Sequence, residues 1–169
     1  MKLIIINGSC GAGKSTLAAR LHAAIPFSFL LDLDAQRQFI STHRENPKRR
    51  WGALFSITKS ILAESLRLDM DVIIDKMIYD SASLDELIVI GEAAGADVYE
   101  LILQAEKGEI VRRAQQKRGF TDEAVFTEEE YRKFWDRIDE LMSTRDSAHI
   151  LDAAQSEEGV FDAALKILE

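Results

Sequence analysis

The chain has 169 residues, 47% hydrophobic and 30% charged, the balance of a globular domain rather than a disordered or fibrous one. At about 150 residues per domain, a single domain over residues 1–169 is expected. The 29 acidic and 21 basic residues give a net charge of −8, which argues against a general nucleic-acid coat. Cys10 is the sole cysteine, which excludes an internal disulfide framework, and His22, His43 and His149 lack the spacing of zinc ligands. The apolar start Leu3–Ile6 falls far short of the ~20 residues a bilayer requires, so a soluble, cytoplasmic protein without a membrane partner is expected.

Leu3–Ile6 reads as a buried first strand running into Asn7-Gly8. Leu17, Leu21 and Ile25 recur four apart and predict a helix over 14–24. Phe27–Leu33 reads as a second strand closing on Asp32-Leu33-Asp34. The stripe Leu54, Ile57, Ile61 and Leu62 predicts a helix over 52–68, and Val72-Ile73-Ile74 followed by Asp75 a third strand. Ser83 and Glu86 have capping-box spacing for a helix that ends near Gly91–Gly95. Val98–Leu103 is a fourth strand, and Thr127 with Glu130 opens a helix bearing Tyr131, Phe134, Trp135, Ile138 and Met142. His149–Leu151 is a short fifth strand, and Ser156 starts the last helix. Strands separated by helices predict a three-layer α/β/α domain of about five parallel strands. Ligands then gather at the carboxyl ends of the strands, where Gly8, Asp34, Asp75 and Asp152 fall.

Gly8-Ser9-Cys10-Gly11-Ala12-Gly13-Lys14-Ser15 satisfies GxxxxGK followed by Ser or Thr, between a strand and a helix. Such a turn brings backbone amides and a helix N-terminus against phosphate oxygens. Residues Gly8 to Thr16 are therefore the nucleotide-binding stretch, with Lys14 as cation for the β- and γ-phosphates and Ser15 as a Mg²⁺ ligand. Cys10 fills a variable loop position, and no partner in the sequence supports a reactive thiol. Asp32 and Asp34 share a side if the strand persists. Asp34, nearer the open end, is the candidate base for an acceptor hydroxyl, and Asp32 either orients it or holds a water on Mg²⁺. Alternatively one carboxylate caps the next helix, for which Asp34 before Ala35 is well placed. Asp75 has the Walker-B form, an apolar strand ending in an acid, and is either a Mg²⁺ ligand or a second candidate base.

Arg112, Arg113 and Arg118 lie in a helix-to-loop stretch that predicts a lid over 112–127, with Gly119 as hinge. An arginine arriving on closure stabilises the transferred phosphoryl group. Arg113 and Arg118 are the catalytic candidates, and Arg137 and Arg145 are further ones. The aromatic stripe Tyr131, Phe134 and Trp135 reads as core packing. Arg44, Lys48, Arg49 and Arg50 form a basic island; an anionic acceptor would explain it, and so would a solvated helix face.

These motifs, in this order, resemble the small P-loop kinases of the nucleoside-monophosphate-kinase type. Within that group the chain is most similar to the chloramphenicol phosphotransferase-like small-molecule kinases, with gluconate and shikimate kinases more distant. The resemblance implies strand order 2-3-1-4-5, Mg·ATP as donor and a small-molecule hydroxyl as acceptor. It also implies a substrate-binding helical segment over 36–70, a strand-two carboxylate matching Asp34, and adenine between Arg118 and the loop Ala153–Ser156. The run Asp75-Lys76-Met77-Ile78 lacks the Asp-Gly-x-Pro-Arg signature of adenylate kinase itself. A nucleoside or nucleoside-monophosphate kinase is the alternative. A GTPase switch is disfavoured because the sequence has no Asn-Lys-x-Asp motif. A motor or transporter ATPase is disfavoured by a chain too short for a typical AAA module. Monomer and homodimer are both compatible.

Overall fold

The computed structural model describes residues 1–41, 46–116 and 126–169. Leu3, Ile4, Ile5 and Ile6 are all fully buried. The strand that carries them, β1 (Lys2–Gly8), therefore lies in the middle of a sheet covered on both faces. β3 (Asp71–Asp75) and β4 (Asp97–Gln104) flank it, with β2 (Ser28–Asp32) and β5 (His149–Asp152) at the edges. Every pairing is parallel and the order is β2-β3-β1-β4-β5, as expected.

Alternation along β1 divides the interior in two. Leu3 and Ile5 pack with Leu62 and Leu66 of α3 (Pro47–Arg67), Leu84 of α4 (Ser81–Ala93) and Ile138 of α6 (Glu128–Met142). Ile4 and Ile6 pack with Leu17 and Leu21 of α1 (Lys14–Ala24) and with Val160 and Ala164 of α7 (Glu157–Leu168). α5 (Lys107–Gln116) joins the second core through Ile110. Full burial of each such aliphatic side chain contributes about 1.5–3 kcal/mol. Among the described residues no helix is long and apolar enough to cross a membrane.

Three expectations are corrected. The second strand stops at Asp32, because its Oδ1 accepts from the backbone N–H of Asp34 (2.9 Å) and Ala35 (3.0 Å). That cap turns Leu33 and Asp34 into the short helix α2 (Leu33–Gln36), followed by a 3₁₀ turn at Arg37–Phe39. Asp32, not Asp34, is thus the capping carboxylate. The third-helix stripe is rotated: α3 starts at Pro47, capped by Asn46, and buries Leu54, Phe55, Thr58, Leu62, Ser65 and Leu66, while Ile57 is 48% exposed. α4 is capped by Asp80, which accepts from Ser83 N–H (3.2 Å), so Ser83 lies within the first turn.

The capping box Thr127–Glu130 and the Ser156 cap are present as expected. On α6 the fully buried residues are Ile138 and Leu141. Tyr131 and Phe134 stack edge-on with Phe126, and Trp135 donates its Nε1–H to the carbonyl of Ala105 (3.0 Å). Of the aromatic stripe only Trp135 packs against the core, while Tyr131 and Phe134 are half-buried and pack on Phe126.

Leu62→Ala should lower unfolding free energy in urea by about 2–5 kcal/mol. Ile57→Ala, on the solvent side of the same helix, should stay within about 0.5 kcal/mol; equal losses would restore the stripe expected from sequence.

Candidate active site

β1 delivers Gly8 beside Leu103 of β4. A Cβ on Gly8 would lie 2.6 Å from the Leu103 carbonyl oxygen, and one on Gly11 2.6 Å from that of Ile110. Both glycines have positive φ, 142° and 88°, so a side chain at either position would meet strain and collision together. Gly13 caps α1 from a left-handed conformation, without a side-chain acceptor for the first-turn amides. Those amides form an anion site at the positive end of a helix. Lys14 folds back over the loop, its Nζ donating to the carbonyl of Ser9 (3.1 Å). Ala12 is buried, Cys10 half-buried and Ser9 fully buried.

A cleft of about 550 Å³ opens beside this loop. Gly11, Gly13 and Thr16 form one wall, Arg113 of α5 another, and Gln155 and Ser156 at the start of α7 a third. Arg113 bridges the walls: Nη1 donates to the Ala153 carbonyl (2.6 Å) and Nε to Glu109 Oε1 (2.7 Å). Arg113 thus joins α5 to the loop before α7 at one side of the cleft. Arg118, Lys117 and Gly119 lie outside the described residues, as does Arg44. Arg112 pairs instead with Glu109 and Gln116 on the exposed side of α5. Arg145 binds buried Glu100 (2.8 Å) and Asp85 (2.6 Å), tying β4 to α4. Arg137 lies over the Tyr79 ring at 4.6 Å.

On the other side of the loop the carboxylates gather. Asp32 and Asp75 are register partners at the ends of β2 and β3. The Ser15 hydroxyl faces the Asp75 carboxylate and favours its charged form. Burial pushes the Asp75 pKa up, against the Lys14 charge and the Ser15 hydroxyl, and the Asp32 and Asp34 carboxylates add to the rise. Asp34 is in ionic contact with the Lys76 ammonium, and Arg37 Nη1 lies 3.7 Å from the same oxygen. Burial alone would raise the Asp34 pKa, but Lys76, by charge and hydrogen bond, with Arg37 and Lys14, holds it below the ordinary value. Lys76 also lies 5.9 Å from the Trp51 ring centroid of α3.

For a divalent cation, the oxygens of Ser15 and Asp75 offer the hard donors that Mg²⁺ takes, one or two carboxylates completed by phosphate and water. Asp75, buried with its pKa raised, gains most from a cation there. Asp32 gives its Oδ1 to the α2 cap, so only its second oxygen faces such a role. Among the described residues no three His, Cys, Asp or Glu side chains form an all-protein metal cage.

Lys76, Arg37 and Asn7 are absent from the residues singled out in sequence. Asn7 is fully buried; its Oδ1 accepts from Gly8 N–H (2.8 Å) and Ile78 N–H (3.0 Å), and its Nδ2 donates to the Ile78 carbonyl (2.6 Å). A polar residue closing an apolar strand was the signal for Asn7. Arg37, three residues after Asp34, follows once the chain is known to turn helical there.

The fold matches solved kinases at low sequence identity. A gluconokinase from Sinorhizobium meliloti 1021 superposes with TM-score 0.71 at 18% identity, covering 98% of this chain and 90% of that one. A deoxyadenosine kinase from M. mycoides with bound dCTP gives 0.63 at 16%, covering 98% of each. The Deinococcus radiodurans tunicamycin resistance protein gives 0.63 at 21%, covering 98% and 92%. No curated protein matches the chain by sequence. The family model described as an AAA domain matches residues 3–141. The P-loop, the five-stranded order and this match together place the chain in the AAA domain family, with the fold of the P-loop kinases.

Proposed function

We propose that this protein transfers the γ-phosphate of Mg·ATP to a hydroxyl of a small molecule. The observation that carries the reading is the convergence on one phosphate loop of Lys14, the Ser15–Asp75 pair and Asp34, with an open cleft on the opposite side for the nucleoside. ATP enters with its base beside Arg113 and Gln155 and its phosphates on the amides of residues 8–16. Lys14 neutralises charge on the transferred group. Ser15 and Asp75, with Asp32 near them, would hold the magnesium ion, which would supply positive charge to offset that of the phosphates. Asp34 accepts the hydroxyl proton of the acceptor. Segment 36–70 frames the acceptor and segment 112–127 closes over the nucleotide; within the latter only 112–116, part of α5, and 126–127 belong to the described residues. The kinase folds of the gluconokinase and the deoxyadenosine kinase support the reaction class.

A nucleoside or nucleotide acceptor is the second reading. Lys48 and Arg49 are exposed in the first turn of α3, where no acidic residue is present. Cations there oppose the helix dipole, so they suit a bound anion better than the helix itself.

Lys14→Ala should abolish acceptor-dependent ATP consumption, measured over a panel of sugars, nucleosides, nucleotides and aminocyclitols; near-normal turnover would refute the loop assignment. Asp34→Asn should cut kcat by about 10²–10⁴ with ATP affinity kept, and a loss confined to ATP affinity would move Asp34 to a metal or structural role. Because the base must be ionised and Lys76 holds its pKa low in the acceptor-free chain, the part of the acid limb of kcat/KM that is lost in Asp34→Asn should lie below the ordinary carboxylate range; an Asp34-dependent limb near neutrality disproves Asp34 as the base. Asp75 has the opposite sign: its raised pKa favours folding at low pH and costs stability as pH rises through it. Asp75→Asn should therefore keep or raise the melting temperature of the ligand-free chain at neutral pH while removing the extra stabilisation by Mg·ATP.

A further inference from the structure

We propose that Lys76 is a positioning residue that keeps Asp34 from activating water until an acceptor is bound. The inference rests on the phosphotransfer reading above. A water molecule and an acceptor hydroxyl are similar nucleophiles, so a kinase distinguishes them through binding energy from the rest of the acceptor.

Asp34 has its Oδ1 engaged by the Lys76 ammonium, with Arg37 Nη1 3.7 Å from the same atom. The Lys76 side chain is 16% exposed and reaches Asp34 from beneath, while Asp34 is 47% exposed. A carboxylate engaged in this way has its charge offset and the lone pairs of Oδ1 committed, which makes it a weaker base. Lys76 has a second neighbour, the Trp51 face at 5.9 Å, which attracts a cation. The backbone beneath it is fixed. Its N–H donates to the Ile6 carbonyl (3.3 Å), and Asn7 holds both polar groups of Ile78. The flexible side chain can thus exchange a carboxylate for an aromatic face without any backbone movement. An acceptor lodged between Asp34 and Trp51 supplies the energy for that exchange; water, with no further groups to bind, does not.

The step held back is hydrolysis. An O–H bond of water breaks and its proton passes to the Asp34 carboxylate. The water oxygen bonds to the γ-phosphorus as the bond to the β-phosphate bridging oxygen breaks, giving ADP and inorganic phosphate, and Asp34 returns the proton to solvent.

The test is phosphate release from Mg·ATP without acceptor. Lys76→Met should raise it by about tenfold or more, inside the ~10²–10⁴ that a general base contributes, and Lys76→Arg should keep it at the wild-type level. The double variant Lys76→Met with Asp34→Asn should lose the increase. If Lys76→Met melts early, Lys76→Gln carries the same expectation. Release from Lys76→Met at or below wild type, with Mg·ATP still bound in calorimetry, overturns the proposal, and so does an increase that survives Asp34→Asn. Failure of the wild-type chain to bind Mg·ATP overturns the phosphotransfer reading itself, and is seen separately in the same titration.

Discussion

Three carboxylates meet where β2 and β3 end, and keeping negative charge there, at the edge of the buried core, is the constraint that the rest of the site must answer. Asp32 and Asp75 sit side by side in register, and Asp34 follows two residues later in the first turn of α2. Burial pushes the Asp75 pKa up, and the neighbouring Asp32 and Asp34 charges add to the rise. Two lysines oppose that tendency from different directions. Lys14 comes from the phosphate loop and acts on both Asp34 and Asp75. Lys76 comes from the loop after β3 and pairs with Asp34 alone. The carboxylates are thereby divided into two environments. Asp34 is held ionised beside its cations, and Asp75 is left short of positive charge, which a divalent ion would supply. Titratable groups whose surroundings push their pKa values apart are the arrangement from which acid–base and metal roles arise.

What could be read from sequence was what is local. The phosphate loop is eight consecutive residues whose glycines each answer a nearby backbone demand. The continuous apolar runs of β1 and β3 could hardly be anything but central strands, while the strand order followed only from the resemblance to the P-loop kinases. Errors arose where a side chain competed with a ladder or a helix register. Asp32 sits in an apolar strand pattern, yet its hydrogen bonds to Asp34 and Ala35 stop that strand. Asp80 out-competes Ser83 as a cap because its carboxylate reaches the Ser83 amide from one turn earlier. In α3, Ile57 fits the four-residue spacing, but Phe55 and Thr58 occupy the buried side. The Lys76–Asp34 pair spans 42 residues of sequence, and nothing local in either segment announces it.

Arg113 illustrates a different kind of legibility. A basic cluster near the end of a helix says that some arginine faces the nucleotide cleft, but not which one, because adjacent side chains on a helix diverge by about 100°. Arg112 and Arg113 both pair with Glu109, yet only Arg113 reaches the Ala153 carbonyl and lines the cleft. The choice is made by the tertiary position of α7, far along the chain.

Asn7 shows how both halves of the site come under one strand. A buried backbone amide or carbonyl left without a partner costs about 1–3 kcal/mol, and the loop that follows β3 presents both groups of Ile78 to the interior. Asn7 satisfies the two at once and also accepts from Gly8 N–H. An apolar side chain of the same size would preserve the core volume and strand Ile78 on both counts. The residue preceding the phosphate loop therefore sets the path of the segment that bears Lys76, whose own N–H is taken by Ile6 of the same strand. β1 thus positions Lys14 through the turn it feeds and Lys76 through the loop it holds. The backbone spacing of the two lysines that act on Asp34 is then set by the sheet.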